Sequence, residues 1–317
     1  MTTQSSQPTS LSLLQKCRNR LSNRLAEYGE MVKFEHTIFA LPFALSAVLL
    51  AIPTNQWPPV MPVVWILMAM VGGRTYAMAL NRLLDADIDG KNPRTVDRAI
   101  PAGRVKQTEG IALAVFSVVL LSLATFQLPI LCQQLLPIAI LILSVYSLTK
   151  RFTALAHGVL GFALGCSVVG SWIAITGSIS SASIALGLAI TFWVAGFDII
   201  YSCQDADFDK EAGLHSIPAW LGIPTALRLS RLCHLLTLIC MITTNLLLPQ
   251  SSIGLWLGTA IMGGFLIYEH RLIAQHGLAK LDVAFFTVNG WISISVFVCI
   301  LLEHVLLSLL PSILGVM

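Results

Sequence analysis

Nine apolar runs, each close to the length of a bilayer span, dominate this 317-residue chain. They lie near 36–52, 59–80, 110–126, 130–148, 153–175, 182–203, 229–248, 254–270 and 282–302. A spanning helix needs about 20 mostly apolar residues. In lipid every backbone N–H and C=O must be satisfied within its own segment, so such runs are helices. The expected fold is all-α: a polytopic membrane bundle of about nine transmembrane helices around a cytoplasm-facing cavity. The intervals 53–58, 127–129, 176–181 and 249–253 hold no Lys, Arg, Asp or Glu. The alternate intervals hold the charge: the N-terminal segment, 81–109, 149–152, 204–228 and 271–282. Of the 19 basic residues only Arg74 falls inside a run and away from its ends. Basic loops face the cytoplasm, so the N-terminus is expected inside, and Glu303 and the C-terminus on the opposite side.

Composition removes the competing classes. Only 11% of residues are charged, against about 25% in soluble domains. A soluble globule, a disordered chain and a nucleic-acid binder are thereby excluded. The chain divides into a basic cytoplasmic segment, 1–35, with interfacial-helix character, a nine-helix domain, 36–305, and a C-terminal tail, 306–317. Residues 1–33 lack the short apolar core and small-residue cleavage site of a secretory signal. The seven cysteines are scattered without a C-x-x-C pair and read as small buried hydrophobes.

The acids are concentrated. Nine of the 16 fall in two short segments after the second and sixth runs: Asp85, Asp87, Asp89 and Asp97, then Asp198, Asp205, Asp207, Asp209 and Glu211. Ionisable groups at membrane depth are costly and mark function. If the second run continues as a helix, Asn81, Asp85 and Asp89 share one face. Like charges at that spacing repel, and a bound cation removes the objection. All the ligands are hard oxygens, which suits Mg²⁺. In the second segment Asp198, Tyr201, Asp205 and Asp209 likewise share a face. Magnesium binds through a few carboxylates plus substrate phosphates, and the neighbouring Lys91, Arg94, Arg98 and Lys210 suit a diphosphate.

These motifs resemble the UbiA superfamily of intramembrane aromatic prenyltransferases. The first signature, N-x-x-x-D-x-x-x-D, is met by Asn81, Asp85 and Asp89, and the second, D-x-x-x-D, by Asp205 and Asp209, with Asp198 and Tyr201 upstream. Arg94, Thr95, Arg98 and Gly103 resemble the continuation of the first motif, and Gly213, Ser216, Ile217 and Pro218 that of the second. Lys33 to Thr37 with Leu41-Pro42, and Tyr146 with Lys150 to Thr153, His157, Leu160 and Gly161, are similar to the 4-hydroxybenzoate polyprenyltransferase-like branch. That branch includes relatives acting on 1,4-dihydroxy-6-naphthoate in menaquinone synthesis. The run Ala77 to Arg82 leans toward those relatives.

The resemblance implies Mg²⁺-dependent transfer of a polyprenyl group from its diphosphate to a ring carbon of a hydroxylated aromatic carboxylate, within a membrane-lipid environment and in respiratory quinone synthesis. Asn81, Asp85, Asp89, Asp205 and Asp209 are expected to hold the metal, Lys91, Arg94, Arg98 and Lys210 the diphosphate, and Arg151, Arg74 and Tyr201 the acceptor. Asp198 is a candidate base. A bacterial inner-membrane location is expected. A cation-coupled transporter is the alternative of another class, although its carboxylates would sit nearer the midplane. CDP-alcohol phosphotransferases need a different single-segment pattern. Haem O synthase, chlorophyll synthase and homogentisate enzymes stay open within the superfamily.

Overall fold

The computed structural model describes residues 15, 18, 24, 27–32 and 37–313. Among them the regular structure is helical throughout. In chain order the helices are α1 (Thr37–Leu50), α2 (Val60–Leu84), α3 (Ala86–Asp89), α4 (Gln107–Thr125), α5 (Ile130–Thr149), α6 (Ala156–Thr176), α7 (Ser181–Ser202), α8 (Ala206–Glu211), α9 (Ile217–Leu221), α10 (Ile223–Leu247), α11 (Ile253–His276) and α12 (Asn289–Ile313). A 3₁₀ turn, Cys203–Asp205, joins α7 to α8, and a π-helical stretch, Val283–Val288, leads into α12.

Nine of these helices, among the described residues, overlie the nine apolar runs. Seven segments are long and apolar enough to cross a membrane: α2, α4, α5, α6, α7 with its extension, α10 and α12 with its π-helical lead-in. The other two fall short for visible reasons. Helix α1 has 14 described residues, and α11 carries Glu269, His270 and Arg271 in its second half. Length and composition therefore establish a multi-pass integral membrane protein, with seven such segments among the described residues; the expected count of nine is not confirmed by that measure. Of the basic N-terminal segment, residues 27–31 are helical. They dock on the loop between α2 and α4: Arg104 pairs with Glu30 at 2.6 Å, and Arg82 Nε donates to the carbonyl of Met31 at 3.3 Å. Lys33 and His36 lie outside the described residues. Helix α12 runs on past 305 to Ile313.

Helix α7 is the axis of the bundle, with 72% of its apolar window buried. Trp193, Ile190 and Ala189 are fully enclosed. Small residues let α6 approach it closely, as membrane helices do where lipid offers no hydrophobic drive to association. A Cβ on Gly161 would stand 2.2 Å from the Thr191 carbonyl oxygen, and one on Gly165 2.4 Å from that of Gly187. At the end away from the acidic segments, Glu303 of α12 caps α11. Its carboxylate accepts from the Ile253 and Gly254 amides at 2.9 and 3.1 Å and from the Ser252 hydroxyl.

Candidate active site

Four connections meet at one end of the bundle: α2 to α4, α5 to α6, α7 to α10, and α11 to α12. Named contacts tie them together. Lys150 Nζ lies 2.5 Å from Asp85, and Arg94 Nη2 lies 2.5 Å from Asp205. The His215 amide donates to the Lys150 carbonyl at 2.7 Å. The Tyr201 ring lies against Phe285 with centroids 4.1 Å apart.

Both acidic motifs sit on broken helices. Helix α2 stops at Leu84. Asp85 adopts φ −94°, ψ 1°, and α3 begins at the next residue. Helix α7 stops at Ser202, Asp205 adopts φ −100°, ψ 3°, and α8 begins at the next residue. An unbroken helix was expected to stack Asn81, Asp85 and Asp89. The backbone bonds from Asp85 N to Asn81 O and from Asp89 N to Asp85 O survive the break, but the side chains separate. Asn81 Nδ2 donates to Asp85 at 2.9 Å, while Asp89 turns to Arg98, 2.6 Å away.

Each first-motif carboxylate is buried and met by cations. Asp85 is 1% exposed and Asp89 is 3% exposed. Arg151 donates to the Leu84 carbonyl and lies 3.5 Å from Asp85. Thr95 Oγ1 donates to the Asp89 carbonyl at 3.0 Å. On the second motif Arg94 grips Asp205 with two parallel bonds, Nε at 2.8 Å and Nη2 at 2.5 Å, the fork geometry that favours arginine over lysine. Asn92 Nδ2 adds a third contact at 3.2 Å, and Arg94 also covers the Tyr201 ring at 5.5 Å. Burial lowers the Arg94 guanidinium, but the hydrogen bonds and charge of Asp205 outweigh it and hold it above its ordinary value.

Asp198 accepts a hydrogen bond from His157 Nδ1 at 2.7 Å, and the Ile217 amide points at His157 Nε2 from 3.5 Å. Lys91 and Lys210 are exposed on the rim. Arg74 sits in α2, eleven residues before Asp85, or about 16 Å along the axis. It stands apart from the cluster. Lys150, Asn92 and Thr95 were not read from the sequence as site residues. Lys150 and Thr95 carried the resemblance without being given a role, and Asn92 offered only its nearness to Arg94.

The donor set fits Mg²⁺. It consists of hard oxygens, and the buried Asp89 Oδ2 has no hydrogen-bond partner among the described residues, with Arg82 Nη1 4.0 Å off. No group of three His, Cys, Asp or Glu converges among the described residues. Magnesium asks for none, since one or two carboxylates plus substrate phosphates suffice.

A helical membrane bundle that gathers two aspartate-bearing helix breaks and a ring of basic side chains at one end has the make-up of an intramembrane transferase. Residues 40–301 match the model of the UbiA prenyltransferase family, and the chain belongs to that family. It is thus an enzyme of the polyprenyltransferase class, and the transporter alternative is set aside. It is 29% identical over 296 residues to the 4-hydroxybenzoate octaprenyltransferase of Thiobacillus denitrificans, covering 91% of this chain and 98% of that one. It is also 29% identical over 225 residues to the enzyme of the same name from Paraburkholderia phytofirmans, covering 71% and 77%. Among solved structures, a UbiA homolog from Aeropyrum pernix K1 superposes with a TM-score of 0.76 at 30% identity, covering 85% of this chain and 98% of that one. A UbiA homolog from Archaeoglobus fulgidus, bound to GPP and Mg²⁺, shares the fold with a TM-score of 0.70 at 20% identity, covering 88% and 99%.

Proposed function

We propose that the chain transfers a polyprenyl group from polyprenyl diphosphate to a ring carbon of a hydroxylated aromatic carboxylate, 4-hydroxybenzoate foremost, in respiratory quinone synthesis. The site would face the cytoplasm from a bacterial inner membrane. One observation carries the reading. Two buried or half-buried aspartate clusters on separate helix breaks stand together, and each has a carboxylate paired with an arginine or lysine from another loop. The naming of the Thiobacillus denitrificans and Paraburkholderia phytofirmans relatives supports the acceptor. The GPP- and Mg²⁺-bound Archaeoglobus fulgidus homolog supports the donor and the metal.

Asn81, Asp85, Asp89, Asp205 and Asp209 are the residues that would hold Mg²⁺. When bound, it supplies positive charge to the leaving diphosphate. Arg94 and Arg98, released from Asp205 and Asp89, turn to the diphosphate oxygens, and Lys91 and Lys210 close the rim. The prenyl C–O bond breaks with its electron pair leaving on the diphosphate. A ring carbon of the acceptor supplies the pair for the new C–C bond. The ring proton then passes to the Asp198 carboxylate, which His157 holds in place, or to the released diphosphate. Arg151 receives the acceptor carboxylate, with Tyr201 on the acceptor side; Arg74, apart from the cluster, is left without a role there. Phe39, Phe197, Phe285 and Phe286, packed in tilted and edge-to-face pairs at centroid distances of 4.8 to 6.4 Å, keep water from the allylic cation.

The test is a membrane assay with radiolabelled polyprenyl diphosphate and Mg²⁺, offering 4-hydroxybenzoate and 1,4-dihydroxy-6-naphthoate separately. Prenylated 4-hydroxybenzoate, lost in Asp85→Asn and Asp205→Asn membranes, is the expected product. Product with the naphthoate alone moves the enzyme to menaquinone synthesis. Product with neither, from folded protein, overturns the quinone-pathway reading.

A further inference from the structure

On the flank of the bundle, α10 and α11 part to leave a groove of about 380 Å³. Arg231 and Arg271 stand at its rim, both exposed, and neither forms a salt bridge to a carboxylate among the described residues. Arg231 is eight residues into α10, and Arg271 is five residues before the end of α11. Both therefore sit about two turns or less inside the end of the bundle that carries the acidic breaks, within reach of the headgroup layer for a long side chain. The walls running from them into the membrane are aliphatic. Leu235 and Ile267 are 55% and 57% exposed, on the surface that faces lipid.

Imidazole interrupts the otherwise apolar floor of the groove. His270 lines it, and its Nε2 shares a hydrogen bond of 2.9 Å with Nδ1 of the buried His234. With His234 as donor, the proton of His270 rests on Nδ1 and is free for an acceptor in the groove. Two guanidiniums and an imidazole above an open aliphatic slot make a receptor for an anion that carries hydrocarbon chains. Basic pockets between membrane helices are the usual seat of anionic headgroups. A free phosphate would leave the slot uncovered, and a zwitterionic lipid would bring its own cation against the two arginines.

We propose that this groove binds one anionic phospholipid, its phosphodiester held by Arg231, Arg271 and His270 and one acyl chain lying along Leu235 and Ile267. The site is separate from the acidic cluster and holds a structural lipid rather than a substrate.

Native mass spectrometry of the purified full chain with equimolar phosphatidylglycerol and phosphatidylcholine tests it. One phosphatidylglycerol should be retained in preference. Each arginine near the surface contributes roughly fivefold, so the double variant Arg231→Gln/Arg271→Gln should hold it roughly thirtyfold more weakly. Arg228→Gln, an exposed arginine outside the groove, should change nothing. Equal retention of the two lipids, unchanged retention by the double variant, or equal competition by the deacylated headgroup or inorganic phosphate would each overturn the assignment. A diazirine-bearing phosphatidylglycerol on the unaltered protein removes any dependence on the variants folding. Its crosslinks should fall within 231–238 and 263–274, and crosslinks elsewhere alone would refute the site.

Discussion

Gly161→Ala joins packing to chemistry in one substitution. The new methyl carbon would lie 2.2 Å from the Thr191 carbonyl oxygen, 3.1 Å from its carbon and 3.2 Å from the Ala195 amide nitrogen, all backbone atoms that no rotamer change can move. Real Cβ contacts essentially never fall below 3.0 Å, so α6 and α7 must part there by about 0.8 Å. Overpacking of this kind costs roughly 1–3 kcal/mol. One turn along α6 from Gly161 stands His157, whose 2.7 Å bond reaches Asp198 on α7. The same displacement carries that bond to about 3.5 Å, the limit of hydrogen bonding. The expected outcome is a melting temperature lowered by several degrees in detergent, with turnover lowered further than the loss of folded protein explains. Gly158→Ala is the control: three residues away on the same helix, its Cβ meets nothing within 4 Å. It should keep activity and gain roughly 0.5–1 kcal/mol. A Gly161→Ala protein with unaltered melting and turnover would refute both the close approach and the positioning of Asp198 through it.

Asp85→Asn should lower kcat by about a hundredfold or more, the scale of losing electrostatic stabilisation at developing charge, with membrane abundance measured by immunoblot. EDTA should abolish product formation, and added Mg²⁺ should restore it in the parent protein but not in the variant. Arg151→Lys keeps the charge and loses the planar fork; KM for the aromatic acceptor should rise about tenfold while KM for the prenyl diphosphate holds. Glu303→Ala removes three hydrogen bonds at the start of α11. It should cost roughly 1–3 kcal/mol in a denaturation series and leave turnover at 25 °C unchanged.

The helices were legible because lipid imposes a length and a hydropathy that no soluble context demands. The alternation of charged and uncharged intervals then fixed which connections gather, and the structure brings those four together. The helix breaks were not legible. Asn81, Asp85 and Asp89 have the spacing of a continuous helix, and nothing local marks Asp85 as the residue that leaves it. What draws Asp89 from its neighbours is Arg98, and what meets Asp85 is Lys150, 65 residues on. Partnerships at that separation belong to tertiary packing, not to periodicity. His157 illustrates the same limit: the sequence offers it as part of a resemblance, and only the approach of α6 to α7 gives it Asp198.

The ion pairs at the two breaks have a thermodynamic consequence for loading. Arg94 on Asp205 and Arg98 on Asp89 pair two of the guanidiniums with two of the carboxylates. A divalent cation arriving alone would displace guanidiniums with nothing to receive them, and a diphosphate arriving alone would strip buried carboxylates of their counter-charge. Each half-exchange strands charge in a medium that penalises it, while the full exchange of partners strands none. On the proposed function, metal and diphosphate would therefore be cooperative ligands, and by reciprocity each would raise the affinity for the other by the same factor. Such a site would resist free magnesium and accept it together with the diphosphate.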